Sequence, residues 1–444
     1  MNNTDKLFTD KYRRIFLPLL LEQIFLTLIG NFNVFLFSLF NDQMVAAIGI
    51  SDQLLNIFTM VTNIVVLGAS ILIIQNAEEA RIKYVKAIFK ESVILNILIA
   101  ILIVFSVFLF NKNLLELMQT PKDLLNETSI YIRIVSISII FLAMTSLMLA
   151  TLRAFGFVEE AVRVSIINTM LVIVGNSLIV LLNLGGIRYI AMATIISRLL
   201  GMLLTLITLR KKIPHLFVKE KTKEIYLKKE ILSLGIPSAM EQISYNFSQT
   251  VITAIIASLG TIAVSSRIYT QTITSFIFSL GVAAGVCGNL IIGDFFRSKD
   301  FKQIKKFGIK NANTMSLIAG LVNLILALLG SHLVGIFTDD PEIRQVVTSL
   351  LFFQVLLDPM RVANEILVGG LNILKDVKYP VFVGIITTYV LVIPLAYLAV
   401  NKLGLGLRSI WIIFIMDELL RRILFTRRYK KEKWREINEV DYEY

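Results

Sequence analysis

The sequence predicts an all-α integral membrane protein: twelve transmembrane helices in two six-helix lobes related by a pseudo-twofold axis along the membrane normal. Three observations lead there. Hydrophobic residues make up 56% of the 444-residue chain and charged residues only 17%, where a soluble domain carries roughly 45–50% and 25%. Apolar runs of the length that crosses a bilayer, about 20 residues, recur along the whole chain and leave no room for a sizeable soluble domain. Finally, Pro18-Leu-Leu-Leu-Glu22-Gln23-Ile24 returns half a chain later as Pro237-Ser-Ala-Met-Glu241-Gln242-Ile243, the same P-x-x-x-E-Q-I motif.

The first expected span, 15–40, carries Glu22, Gln23 and Asn33. A carboxylate at membrane depth costs about 2.5–3.5 kcal/mol on insertion scales, which makes it a functional-site hypothesis by default. The proline four residues earlier frees a backbone carbonyl and can kink the helix. The second span, 46–75, contains Gly68-Ala69-Ser70, read as close small-residue packing with a hinge as the alternative. Spans 87–111, 128–152, 162–184 and 187–209 complete the first lobe, taken as 1–210, and 211–230 is the expected cytoplasmic linker.

The second lobe, 231–430, repeats the scheme. Span 233–258 opens on Glu241 and Gln242, with Asn246 five residues on; span 264–294 holds the small-residue run Gly281 to Gly288 and the single cysteine, Cys287, which excludes an internal disulfide. Span 309–336 ends before Pro341, just as Pro121 follows a short polar stretch at the corresponding place in the first half. In span 344–373, Asp358, Arg361 and Glu365 are spaced i, i+3, i+7 on one helical face, with Asn364 beside it and Pro359 interrupting the backbone. Two readings stay open: Arg361 locks the bundle by pairing with a neighbouring acid, or the triad faces a cargo. Span 379–401 and span 405–426 follow, the latter with Asp417-Glu418 expected to pair locally with Arg421-Arg422, and 431–444 is a cytoplasmic tail. Arg133, Arg198 and Arg267 are read as span-end residues that snorkel. Further repeat landmarks agree: Leu152-Arg153-Ala-Phe-Gly156 aligns with Leu371-Asn372-Ile-Leu-Lys375 at the interval that separates Pro18 from Pro237.

The net charge of +12 does not point to nucleic acid. About 34 of the 44 Lys and Arg fall in the N-terminus, the even-to-odd loops and the tail, against about 6 in the opposite loops. That bias is the positive-inside rule and puts both termini in the cytoplasm. The partner this topology implies is the lipid bilayer of the plasma (inner) membrane, with a monomer expected. No cofactor is expected. The chain lacks G-x-x-x-x-G-K-[ST], H-E-x-x-H and G-x-S-x-G, and has two histidines, so ATP hydrolysis, a His-based metal site and an intramembrane enzyme are disfavoured.

Several stretches resemble the multidrug and toxic compound extrusion (MATE) family of secondary transporters. These are Leu234-Gly-Ile-Pro237-Ser-Ala-Met-Glu241-Gln242, Ala257-Ser-Leu-Gly260-Thr-Ile-Ala263, Phe337-Thr-Asp339-Asp340-Pro341, Lys375-Asp376-Val-Lys-Tyr379-Pro380 and Leu152-Arg153-Ala-Phe-Gly156. The resemblance implies two six-helix lobes that open alternately, and export of large, often cationic compounds in exchange for Na⁺ or H⁺. It also implies coupling acids on the first, seventh and tenth spans. Glu241 matches the seventh-span acid. Asn33 stands where many bacterial members have Asp, Arg361 falls near the usual tenth-span acid with Asp358 a turn away, Phe157 replaces an Asp, and Asn372 an Arg. These departures imply a divergent member. Glu22 and Glu241 are the expected coupling groups, with Asn33 added by the resemblance, and Gln23, Gln242, Asn246, Asp358, Arg361, Asn364 and Glu365 the expected cavity residues. The alternative is a flippase for a lipid-linked or peptide substrate, which would use Arg361 for phosphate; an acidic cavity favours the exporter. A major-facilitator fold lacks its expected basic loop after span two, and a scaffold needs no repeated buried acids.

Overall fold

In the computed structural model the described residues are 3–38, 42–118, 120–182, 186–218 and 227–439. Helices follow one another: α1 Asn3–Ser38, α2 Asp42–Asn76, α3 Ile82–Leu117, α4 Leu125–Ser136, α5 Ser138–Ala154, α6 Val158–Leu181 and α7 Ile187–Lys212. The second half gives α8 Lys228–Ala257, α9 Thr261–Arg297, α10 Phe301–Leu328, α11 Gly330–Gly335, α12 Pro341–Ile373, α13 Lys378–Ile386, α14 Ile393–Tyr397, α15 Leu407–Lys430 and α16 Lys433–Glu439. No strand occurs among the described residues. Each of the twelve expected spans falls on one of these helices or on a short series of them. Among the described residues, eight helices are long and apolar enough to cross a membrane, and α4 with α5, bent by 42°, is a ninth if the pair is one span. α1, α8 and α15 match in length, with 36, 30 and 24 residues, but carry more polar groups. The exposed stripe of α3 (Leu98, Leu102, Phe105, Leu109) is the lipid-facing side such a span needs.

The chain forms two compact units, Phe25–Ala239 and Met1–Ile24 with Met240–Tyr444. The division passes through α1 and α8, so the segment Met1–Ile24 packs with the second half of the sequence. Inside Phe25–Ala239 the core joins α2 (Ile48, Leu55), α3 (Ile103, Val107), α4 (Ile132, Val135) and α7 (Ile190). In the other unit, Ile252 and Ile256 of α8 meet Leu350 and Leu357 of α12 and Trp411 and Phe414 of α15. Between apolar helices in lipid, close van der Waals packing does the work that water exclusion does elsewhere.

The repeat is visible in local geometry. At the end of α5, Phe157 N donates to Leu152 O (3.0 Å) and Gly156 N to Arg153 O (3.0 Å); at the end of α12, Asp376 N donates to Leu371 O and Lys375 N to Asn372 O at the same distances. Gly156 and Lys375, equivalent positions in the repeat, both take positive φ (85° and 60°). This is the Schellman ending, and lysine accepts there a conformation that glycine adopts freely. A second equivalence lies between helices. Cys287 Sγ of α9 contacts the Tyr12 carbonyl of α1 at 3.8 Å inside one unit. Inside the other, a Cβ on Gly68 of α2 would collide with the Ile231 carbonyl of α8, and one on Gly235 with the Ile64 carbonyl. Tyr12 corresponds to Ile231 and Gly68 to Cys287 at the same interval as Pro18 to Pro237. The glycine run of α9 likewise receives α12: Gly281 faces Val362, and Gly285 leaves room for the Glu365 side chain. Both observations support the packing reading of the small residues.

The eleventh span is not a plain α-helix. α13 and α14 are joined by a π-helical stretch, Thr387–Val392, and a second one, Leu398–Lys402, follows α14. Pro394 lies just after the first; it offers no N–H and crowds the carbonyl four residues back, which a wider turn relieves. Asp340 caps α12, accepting from Glu342 N (2.8 Å) and Ile343 N (3.2 Å), with Pro341 in the first turn. Residues 219–226 of the expected linker and 440–444 of the expected tail lie outside the described residues.

Candidate functional site

Most of the polar groups singled out in the second half meet in one place. Asp358 is buried (6% exposed), accepts from Asn323 Nδ2 of α10 at 3.2 Å, and sits 3.6 Å from Arg361 Nη1. Arg361 Nε also lies 3.5 Å from Glu418 Oε1 on α15, and its guanidinium stacks over the Phe414 ring at 5.6 Å. Asn364 Nδ2 donates to Glu418 twice, to its backbone carbonyl (2.9 Å) and to Oε2 (2.8 Å). Arg421, a turn further along α15, donates to Asp417 Oδ1 (3.0 Å), to the Gly384 carbonyl (3.3 Å) and to Thr388 Oγ1 (2.6 Å). Gly384 lies just before the π stretch and Thr388 within it, so the widened turn helps hold Arg421 in place.

Two acids remain. Glu241 on α8 lies within electrostatic reach of Glu365, Glu418 and Arg421, and Glu365 within reach of Glu418. Among the described residues neither Glu241 nor Glu365 has a hydrogen-bond or ion-pair partner. Glu365 is exposed at its place on α12 and Glu241 half-buried. The cluster therefore contains five acids, Glu241, Asp358, Glu365, Asp417 and Glu418. Arg361 and Arg421 engage three of them through direct contacts and leave two without a cation. Amide oxygens add acceptors: Asn323 Oδ1 and Asn364 Oδ1 are buried without a partner. Oxygens plus surplus negative charge suit a monovalent cation, a proton or an organic cation. No group of three His, Cys, Asp or Glu close enough to hold a metal occurs among the described residues.

The remaining candidates lie on α8 and α1. Gln242 and Asn246 lie on the exposed face of α8, with Asn246 Nδ2 donating to the Gln242 carbonyl at 2.8 Å. Glu22 is 1% exposed and Gln23 partly buried on α1. Asn33 lies outside the residues whose side chains are described.

Three expectations about charged residues need correcting. Glu418 does not pair with Arg422 along its own helix; it crosses to α12, while Arg422 bonds Asn313 of α10. Arg267 does not snorkel. It is 5% exposed, and its Nη1 and Nη2 donate to Thr253 Oγ1 and Gln249 Oε1 of α8, both at 2.9 Å. Arg198 sits in the middle of α7, donates to Ser138 Oγ at 2.6 Å, and faces Asp52 and Tyr131. Asp52 is a residue that sequence reasoning passed over. It lies with Gln53 and Asn56 on one exposed face of α2, a polar i, i+1, i+4 cluster inside an apolar span that could have flagged it. Arg198 also lines a cavity of about 240 Å³ with Thr145, Thr169 and Gly201, and near it Thr194 donates to Asn176 at 3.2 Å. The first half thus holds a polar centre of its own, in which Arg198 bonds Ser138 and lies within electrostatic reach of Asp52.

Comparison with known proteins agrees with this architecture. The MatE family profile matches residues 18–178 and 237–398, one stretch per half. The "Uncharacterized transporter YisQ" of Bacillus subtilis (strain 168) is 29% identical over 423 residues, covering 94% of this chain and 93% of that one. The "Probable multidrug resistance protein YoeA" of the same organism is 22% identical over 356 residues, covering 78% and 76%. Among solved structures, the Vibrio cholerae MATE transporter VcmN in its bent form superposes with a TM-score of 0.86 at 15% identity, over 97% of this chain and 98% of that one. The chain is a multi-pass membrane transporter that belongs to the MATE family.

Proposed function

We propose that this transporter exports organic, often cationic, compounds across the plasma membrane in exchange for Na⁺ or H⁺, by alternating access of lobes 1–210 and 231–430 with both termini cytoplasmic. The observation that carries the reading is the pair of uncompensated glutamates, Glu241 and Glu365, beside acids that are each paired with an arginine. A Na⁺ or proton on Glu241 weakens the negative field that attracts a cationic substrate to Glu365. Each ligand then weakens the other, which is the thermodynamic requirement of exchange; couplings of this kind amount to about 1–3 kcal/mol. Glu22 and Asn33 join the coupling group on α1, and Gln23, Gln242, Asn246, Asp358 and Asn364 contact substrate or orient the acids. Arg361 serves as counter-ion to Asp358 and Glu418. A lipid-phosphate cargo would have to compete with both carboxylates for it, so no observation favours the flippase alternative. The family membership and the multidrug-resistance names of relatives such as YoeA support the substrate class.

The test is cellular. A host lacking its own efflux pumps and expressing the protein should accumulate less of a fluorescent organic cation. Glu241→Gln should abolish this while membrane levels stay the same; full efflux by that variant would remove Glu241 from the mechanism.

A further inference from the structure

We propose that the cytoplasmic end of α10 is a binding site for the headgroup of an anionic phospholipid, with Lys302, Lys306 and Lys310 as its cationic wall. The three lysines are exposed and spaced i, i+4, i+8, so they form one stripe over two turns. None of the three has an acidic partner among the described residues; Lys305, on the flank, is the one that pairs, with Glu432 at 2.9 Å. They line an open concavity of about 490 Å³ on α10, together with Lys305, Ile309, Asn313 and Thr314. Behind the concavity, Arg422 of α15 donates through Nη2 to the lining residue Asn313.

The same face of α10 says which source of phosphate fits. Beyond Asn313 and Thr314 the stripe continues as Leu317, Leu321, Ile325 and Leu328, exposed by 66%, 54%, 56% and 67%. Lys306 to Leu321 spans about 22 Å at 1.5 Å per residue. Cations, then amide and hydroxyl, then aliphatic side chains match headgroup, ester region and acyl chain in order, whereas a free phosphate or a soluble ligand has no use for the lower part. Three lysines with no acidic partner of their own also select against a zwitterionic headgroup, whose ammonium they repel. The fold does not impose this stripe. The equivalent residues of the first half are Lys83, Ala87 and Glu91, and Glu91 there has its own ion pair with Lys228 at 3.7 Å. This site rests on the membrane placement of α10 and not on the transport reading.

Native mass spectrometry of the detergent-purified full chain, mixed with phosphatidylglycerol or phosphatidylcholine, tests it. Wild type should retain phosphatidylglycerol over phosphatidylcholine by about fivefold or more. Lys302→Gln/Lys306→Gln/Lys310→Gln should bring that ratio to within about twofold of unity, and Lys310→Glu alone should cut it about threefold. Lys86→Gln, at the equivalent end of α3, should leave it unchanged. Millimolar inorganic phosphate should not displace the lipid. Equal retention of the two lipids by wild type, an unchanged ratio in both lysine variants, an equal loss in Lys86→Gln, or displacement by inorganic phosphate would each overturn the proposal, the last by making this a free-phosphate site.

Discussion

Replacing Arg361 with glutamine strips the counter-ion from two carboxylates at once. At 3.5–3.6 Å, each ion pair represents roughly 4–5 kcal/mol of direct attraction at an effective dielectric of about 20. Most of that offsets the desolvation of the three charges, so the informative quantity is the cost of leaving Asp358 and Glu418 without a cation. Breaking a buried pair costs about 3–5 kcal/mol. The Arg361 side chain retains 25% exposure, the acids only 9% and 12%, which argues for the lower part of that range, about 3 kcal/mol. Both tryptophans, Trp411 and Trp434, are buried in the unit that holds the cluster, so thermal unfolding followed by intrinsic tryptophan fluorescence reads the relevant part of the molecule. Arg361→Gln should unfold several degrees below wild type. Adding Glu418→Gln removes one of the stranded charges, so the double variant should recover part of the loss, with a coupling of about 1–3 kcal/mol. An unchanged midpoint for Arg361→Gln, or strictly additive losses in the double variant, would refute the counter-ion assignment.

Other expectations follow from the same contacts. Gly68→Val should reduce folded yield sharply, because over-packing against the Ile231 carbonyl costs about 1–3 kcal/mol or more; Gly49→Ala, with open space around it, should not, and size-exclusion profiles of the two proteins distinguish these outcomes. Asp376→Asn should lower the unfolding midpoint by weakening the two-point contact from Arg428 (2.7 and 3.0 Å) that helps fasten α15, a charge-assisted pair worth about 1.5–3 kcal/mol. Arg198→Met should leave Asp52 without its facing cation and destabilise the first-half unit, and Arg198→Met/Asp52→Leu should regain stability if the two act as a pair; limited proteolysis within Phe25–Ala239 reports it.

Helix content, the apolar segments and the internal repeat were legible because each is a property of a single stretch of chain. The tenth-span triad was legible for the same reason: i, i+3, i+7 spacing fixes a shared face wherever the helix packs. Partner choice between helices was not. The i, i+4 spacing of Asp417 and Arg421 found its local pair, yet the identical spacing of Glu418 and Arg422 did not. There the facing helices offered Arg361 and Asn364 to one and Asn313 to the other. Arg267 was misread because its acceptors, Thr253 and Gln249, lie on the preceding helix, across the turn at Gly260. Arg198 sits near the middle of α7, far enough from either end that reaching the interface would demand more than the length of its side chain. The π stretches leave a weaker trace, with Pro394 as their one sequence marker.

The most direct measurement is flux of an organic cation in proteoliposomes under an imposed Na⁺ or pH gradient, compared between wild type, Glu241→Gln and Glu365→Gln. A gradient of one of these ions should drive uphill movement of the compound by wild type. Glu241→Gln should abolish the response to the gradient, and Glu365→Gln should weaken substrate binding while ion binding persists. Gradient-driven flux that survives in the Glu241→Gln protein would contradict the assignment of the uncompensated glutamates to coupling.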